Sequence, residues 1–200
     1  MSRIALFPLN SLLFPEATID LQIFEQRYLS MISECLKAEK GFGVVLIREG
    51  QEAGEVPQIF PVGVYGHIED WNSLDNGLLG IKVRGGAKFR ILECFSEHDR
   101  LVADIEYLPD EPPVEICEHH EGLRDLLAQL LAHPAVQRLG FPEPQDARQL
   151  GWQLTQLLPL SRPDKVALLE VKDPWLRLDQ IVERVERLAA GEDPDASGRI

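Results

Sequence analysis

The feature that most constrains the fold is a pair of Leu-Phe-Pro units near the start of the chain, at residues 6–8 and 13–15. Because proline lacks a backbone N–H and holds the residue before it extended, each unit interrupts a strand and separates short extended pieces. From Ala17 to Ile23 apolar and polar residues alternate, which predicts a half-buried strand. At Phe24 the apolar spacing becomes helical, and we expect this helix to end at Gly41.

Short apolar or alternating runs continue to Tyr107. They predict further strands at residues 42–47, 62–68, 78–83, 88–95 and 101–107. Asn76-Gly77 marks a turn, and the runs 78–83 and 88–95 are expected to pair around residues 84–87. Roughly six or seven short strands at this spacing are typical of a small closed or half-closed barrel.

The second half of the chain has helical patterning. Leucines at helical spacing over 123–131 and again over 150–158 predict two helices, and Ser161 with Asp164 three residues later predicts the start of a third. Asp173 and Pro174 are typical of the start of a last helix, which Gly191 ends.

The acidic, proline-rich segment 108–113 separates these two halves and is our predicted domain boundary. The predicted fold class is therefore α+β. It consists of a β-rich subdomain over residues 1–112, a helical subdomain over 113–191 and a flexible tail over 192–200.

The composition limits the partners of the chain. With 33 acidic and 20 basic residues the net charge is −13, which opposes binding to nucleic-acid phosphate or anionic lipid. No apolar run approaches the roughly 20 residues of a membrane span, and the start of the chain lacks a secretory signal. Cys35, Cys94 and Cys117 are odd in number and widely spaced, which fits a reducing compartment. We expect a cytoplasmic protein without a membrane or nucleic-acid partner.

No local constellation of residues predicts catalysis, a cofactor or a metal. The glycine pairs lack the lysine and the strand-to-helix context of a phosphate-binding loop. In Cys117-Glu118-His119-His120 the adjacent histidines point about 100° apart on a helix, and the next histidine, His133, lies two or more turns away. His67 is expected to be a partly buried structural residue of an apolar strand rather than a catalytic base. A triad assembled from distant residues stays open.

Several short motifs in a fixed order carry a family resemblance. They are Phe7-Pro8-Leu9-Asn10, Leu13-Phe14-Pro15, Ile23-Phe24-Glu25 with Arg27-Tyr28, residues 42–47, Pro61-Val62-Gly63, residues 86–92 and Leu157-Leu158-Pro159. Together they resemble the amino-terminal substrate-recognition domain of Lon proteases, in particular stand-alone bacterial proteins made of that domain. The resemblance implies a PUA-like β-barrel with one helix, followed by a C-terminal α-helical bundle.

The resemblance also implies a role. Complete Lon proteases carry an ATPase module and a Ser-Lys peptidase domain after this region, and these 200 residues contain neither. We therefore expect no enzymatic activity. The implied role is that of a protein- or peptide-binding module. It binds unfolded or degron-bearing segments and acts as an adaptor or substrate selector for a separate protease.

The candidate binding residues are Phe24, Arg27, Tyr28, Phe42 and Phe89, which we expect to frame the junction of the first helix with the barrel. Aromatic residues at helical spacing usually pack in cores, so their first expected role is structural, with a client groove as the alternative. Glu25 and Arg27 lie two residues apart on the predicted helix and are not expected to face each other.

Two other functions stay open. Lys82, Arg84, Lys88 and Arg90 flank Phe89 and are the nearest approach to the basic, aromatic surface of an RNA-binding protein. The other open function is that of an enzyme with an unrecognised small-molecule site, because a fold does not by itself determine function.

Overall fold

A computed structural model of the chain describes residues 2–52, 57–137 and 140–191. The chain divides into two compact units, Met1–Asp110 and Glu111–Ile200, which we call the sheet unit and the helical unit. The predicted tail at 192–200 lies outside the described residues.

The sheet unit combines strands with one described helix. Its elements are β1 (Ser2–Leu9), β2 (Thr18–Ile23), α1 (Gln26–Ala38), β3 (Phe42–Glu49), β4 (Gln58–Ser73), β5 (Leu79–Glu97) and β6 (Arg100–Tyr107). Within the described residues the strand order is β2-β5-β4-β3-β1-β6, and β6 also pairs with β5. β1 and β3 are parallel, whereas the other pairs are antiparallel. The presence of both a sheet and helices confirms the predicted α+β class.

Apolar side chains cover both faces of the central strands. Leu6 lies opposite Gly43, and Phe7 lies opposite Val44, so alternate residues of β1 and β3 point to alternate faces. One face carries a buried cluster of Leu6, Val45, Phe89, Leu101, Ala103 and Ile105. On the other, the ring of Phe7 lies 4.4 Å from that of Tyr28 in α1. This two-sided burial explains why the run from Phe42 to Ile47 is continuously apolar.

The predicted pairing of 78–83 with 88–95 is wrong, because β5 runs without a turn through residues 84–87. The hairpin before β5 is instead the turn at Gly77, where φ is 79° and the N–H donates to the carbonyl of Leu74. Gly85 does not form a turn; it allows another backbone segment to approach β5 closely. A Cβ atom there would lie within 2.0 Å of the carbonyl oxygen of Phe14, in the second Leu-Phe-Pro unit, so only glycine fits beside that carbonyl.

Helix α1 is shorter than its predicted span at both ends. Glu25 is its N-cap residue with extended backbone, so Phe24 precedes the helix. Glu39 ends the helix in the left-handed conformation, with φ of 52°, and its N–H donates to the carbonyl of Leu36. A residue other than glycine therefore ends the helix before Gly41 is reached.

The helical unit contains α2 (Glu121–Leu131), α3 (Pro134–Gln137), α4 (Ala147–Leu157), α5 (Arg162–Glu170) and α6 (Pro174–Ala189), with a 3-10 turn at Glu118–His120. The predicted caps at Ser161 and Asp173 are confirmed, because their side chains accept hydrogen bonds from backbone N–H groups of the first turns of α5 and α6. Asp146 caps α4 in the same way. The shared buried cluster of the helices consists of Leu123, Leu127, Ala147, Leu150, Leu154, Leu158, Leu168, Leu178 and Ile181.

The helical unit contains a buried ion pair. The side chains of Arg177 and Glu111 are 0% and 1% exposed, and the guanidinium donates to both carboxylate oxygens, at 2.6 and 2.5 Å. Arg177 also donates to the carbonyls of Leu168 and Val171. One side chain thus joins residue 111, the end of α5 and the first turn of α6. None of the described helices is long and apolar enough to cross a membrane.

Candidate functional site

The start of α1 brings three of the five candidate residues together. Phe24 is 59% exposed, whereas Tyr28 is buried. Arg27 donates to the carbonyl of Asp99 at 2.9 Å, and its guanidinium carbon lies 4.8 Å from the centre of the Tyr28 ring. Arg27 also lies 2.9 Å from a carboxylate oxygen of Glu25, contrary to expectation. The helical spacing rule does not apply to this pair because Glu25 is outside the helix.

The other candidates are core residues on different faces of the sheet. Phe42 is fully buried, and its ring lies 5.7 Å from that of Phe7, which also contacts Tyr28. Burial raises the pKa of the Tyr28 phenol. Phe89 is fully buried in the cluster on the opposite face. Tyr28, Phe42 and Phe89 are therefore not accessible to a partner in this structure, and Phe24 is the candidate that presents a large apolar surface.

A second exposed aromatic residue lies on the same part of the sheet as β2. The strand registers place Leu21 opposite Ile81 and Ile81 opposite Trp71, so these three side chains project from one face. Trp71 is 58% exposed and Leu21 is half-buried. Trp71 lies on β4, two strands away from β2. We therefore call Ile19 and Leu21 of β2, together with the exposed Phe24 that directly follows it, the β2 surface. Trp71 is not among the five candidate residues, because the exposure of one aromatic residue in a strand depends on which strands cover it.

Strand β2 lies at one end of the strand order. Within the described ranges it is hydrogen-bonded to β5, and no described strand pairs with its other edge. An edge of this kind presents backbone N–H and C=O groups that can pair with another chain. The β2 surface therefore combines backbone pairing capacity with half-buried and exposed apolar side chains.

The opposite face of the same strands is charged but balanced. Lys82 lies directly between Asp20 of β2 and Asp70 of β4. Arg84 lies 3.6 Å from the carboxylate of Glu69.

The other two basic residues of this stretch are also placed unfavourably for phosphate. Lys88 is buried, and Arg90 lies opposite Glu106. The basic residues that motivated the RNA-binding alternative thus do not form a continuous positive surface.

Residues with metal-ligating or catalytic chemistry occur elsewhere. His67 is exposed rather than partly buried, and its ring meets that of Tyr65 edge-on at 5.0 Å. In the helical unit, ligand atoms of His119, His120 and Asp179 all lie within 4.8 Å of one another. Sequence reasoning missed this group because Asp179 follows His120 by 59 residues and no local spacing connects them.

Comparison with known proteins gives a consistent result. The family model described as the ATP-dependent protease La (LON) substrate-binding domain matches residues 3–187. A Lon N-terminal domain protein from Xanthomonas campestris has a similar structure, with a TM-score of 0.76 and 32% identity over 92% of this chain and 98% of that chain. The N-terminal domain of a Mycobacterium avium complex Lon protease shares the fold, with a TM-score of 0.58 and 15% identity over 91% of this chain and 97% of that one.

Two complete proteases also match in sequence. The chain is 23% identical over 186 residues to a Lon protease of Brevibacillus choshinensis, covering 88% of this chain and 24% of that protein. It is 26% identical over 110 residues to a Lon protease of Anaeromyxobacter dehalogenans, covering 54% of this chain and 13% of that protein. The chain thus spans less than a quarter of the length of these relatives.

Proposed function

Because the chain belongs to the family of LON substrate-binding domains, we propose that it is a recognition module that binds extended segments of client proteins at the β2 surface. The observation that carries this proposal is the position of β2 at the end of the strand order, followed directly by exposed Phe24.

The proposed mode of binding is addition of a client strand to β2. Backbone hydrogen bonds along the edge supply affinity that does not depend on the client's sequence, and apolar client side chains that alternate along the strand contact Ile19 and Leu21 of β2 and Phe24 directly after it. A folded protein has its backbone groups already paired, so this mode selects unfolded segments and exposed degrons. The net charge of −13 favours clients with basic flanking residues.

In this proposal the chain performs no chemistry. It selects or delivers clients as an adaptor for a separate protease in the cytoplasm, and the match to a substrate-binding domain supports that role. Its three cysteines are free thiols, which is compatible with a reducing compartment.

We also propose a finer description of the architecture. Pairing of β6 with both β1 and β5 supports a PUA-like barrel in the sheet unit, and the apolar cluster shared by α2, α4, α5 and α6 supports a helical bundle. The boundary is proposed at Asp110/Glu111 rather than after Pro112, because the carboxylate of Glu111 binds Arg177.

Fluorescence anisotropy with a labelled, unstructured peptide tests the proposed binding mode. The probe has an alternating Val-Phe core with flanking lysines, and two further versions carry backbone N-methyl groups at the odd or at the even positions of the core. Because only alternate N–H groups of an added strand face the sheet, one N-methylated version should lose binding and the other should keep it. Equal binding of both versions would rule out strand addition.

Variants locate the site on the protein. Phe24→Ser should weaken peptide binding by at least about tenfold, or 1.4 kcal/mol, without altering the unfolding midpoint. Trp71→Ser removes an equally exposed aromatic side chain two strands away from β2 and should bind as the unmodified chain does. Leu92→Ser is the matched control, because Leu92 is also exposed but lies in the half of β5 that pairs with β6. If all three variants bind alike, the β2 surface is not the site. Salt-sensitive micromolar binding to total RNA would favour the RNA-binding alternative instead.

A further inference from the structure

Three side chains with metal-ligating atoms converge in the helical unit. His119 and His120 come from the 3-10 turn before α2, and Asp179 comes from the second turn of α6. Their ligand atoms lie within 4.8 Å of one another, and Nε2 of His120 lies 2.7 Å from Oδ1 of Asp179. The rings of the two histidines are 5.2 Å apart and inclined by 64°. The fold thus places two imidazoles and a carboxylate around one point.

The orientation of the central histidine is fixed. His120 is 2% exposed, and its Nδ1 lies 3.0 Å from Sγ of Cys117. Because Nδ1 and Nε2 point away from opposite sides of the imidazole ring, the thiol contacts the side remote from Asp179. Cys117 therefore holds the ring so that Nε2 faces Asp179, in the way that outer hydrogen-bond partners orient metal-binding histidines.

The geometry points to a divalent transition-metal site, and we propose that His119, His120 and Asp179 bind Zn²⁺ through two imidazole nitrogens and one carboxylate oxygen. Imidazole and carboxylate are ordinary zinc ligands, and three protein ligands leave one position open for water or a partner's side chain. Tetrahedral zinc ligands are about 3.3 Å apart, so closing the set needs movements of about 1.5 Å or less. His119 and Asp179 are exposed and free to make them.

The sequence shows no further ligands at useful spacing from His119 and His120 and therefore predicts no metal site. That reasoning covered residues 117–133, where adjacent histidines diverge on a regular helix. In the structure the two histidine rings nevertheless lie 5.2 Å apart, and α6 supplies the third ligand, Asp179. All three residues belong to the helical unit, whereas those of the β2 surface belong to the sheet unit.

Titration of the whole chain, first stripped with a chelator, tests the proposal. In competition with a chromophoric chelator, one Zn²⁺ per chain should bind with a Kd at or below roughly 10 µM. His119→Ala and Asp179→Asn should each weaken binding at least about tenfold. Both residues are exposed, so the variants should stay folded, as circular dichroism can verify. His133→Ala and Asp125→Asn are controls from exposed positions in the same unit and should bind as the unmodified chain does.

Cobalt(II) gives a second, spectroscopic measurement. The bound ion should show visible d–d bands of a four- or five-coordinate site, without a near-ultraviolet thiolate-to-cobalt band, because Cys117 is outside the ligand set. Zinc binding that is absent, or unchanged in His119→Ala and Asp179→Asn, would overturn the proposal. A thiolate-to-cobalt band would overturn the assigned ligands.

Discussion

Replacing Glu111 with alanine should destabilise the helical unit by about 3–5 kcal/mol, because it leaves the guanidinium of Arg177 buried without a counter-charge. The two side chains are 1% and 0% exposed, so bulk water does not solvate the remaining guanidinium as it would at the surface. Arg177 would keep its hydrogen bonds to the carbonyls of Leu168 and Val171, which do not neutralise the charge. With a urea m value of about 2 kcal/mol/M, the unfolding midpoint should fall by about 2 M.

Tryptophan fluorescence can measure the loss of stability of the helical unit separately from that of the sheet unit. Two of the three tryptophans, Trp152 and Trp175, belong to the helical unit, so a Trp71→Phe background makes the signal specific to it. The Trp152 ring centre lies 5.7 Å from the guanidinium carbon of Arg177, so its emission is sensitive to the pair. Urea unfolding of Glu111→Ala is then compared with Glu183→Ala, an exposed carboxylate on α6 for which a change within about 0.5 kcal/mol is expected.

A double-mutant cycle separates the pair from the general cost of truncation. Glu111→Ala combined with Arg177→Met should be less destabilising than the sum of the single variants by about 1–3 kcal/mol, since the second change removes the stranded charge. Additive losses, or a loss for Glu111→Ala no larger than that for Glu183→Ala, would refute the assigned role of the pair.

Two further predictions concern backbone and capping positions. Gly85→Ala should destabilise the sheet unit by about 1–3 kcal/mol or more, because the new Cβ would meet the carbonyl of Phe14, whereas Gly122→Ala has open space and should be neutral or stabilising in thermal unfolding. Asp146→Ala should cost about 1 kcal/mol at pH 7 by removing the cap of α4. Burial acts to raise the pKa of Asp146, but hydrogen bonds from Arg148 and from backbone N–H groups lower it overall. The stability that the carboxylate provides is lost as pH falls through that lowered pKa, so urea midpoints of variant and parent should converge in acid, and a gap independent of pH would contradict the assignment.

Local rules predicted those features that depend on neighbouring residues. The caps at Ser161 and Asp173 follow from side chains that reach N–H groups two or three residues away, and the alternation of β2 follows from its one buried face. The family and the α+β class were likewise predictable, because the order of short motifs extends through most of the chain.

Features set by long-range contacts were not predictable from the sequence. Gly85 and Gly86 look like turn residues, and only the approach of the Phe14 carbonyl shows that β5 needs glycine at position 85. Arg177 lies 66 residues after Glu111, and Asp179 lies 59 after His120, so no spacing rule relates either pair. The exposure of Phe24 and the burial of Phe89 depend on which elements cover each face of the sheet.

Residue-resolved amide hydrogen exchange tests the central proposal most directly. Adding the unmodified alternating peptide to the whole chain should slow exchange at alternate amides between Thr18 and Ile23, because strand addition gives hydrogen-bond partners to the outward N–H groups of β2. The inward N–H groups, already bonded to β5, should change little. Saturating peptide that leaves every β2 amide unchanged, or that protects only amides of the helical unit, would contradict recognition at the β2 surface.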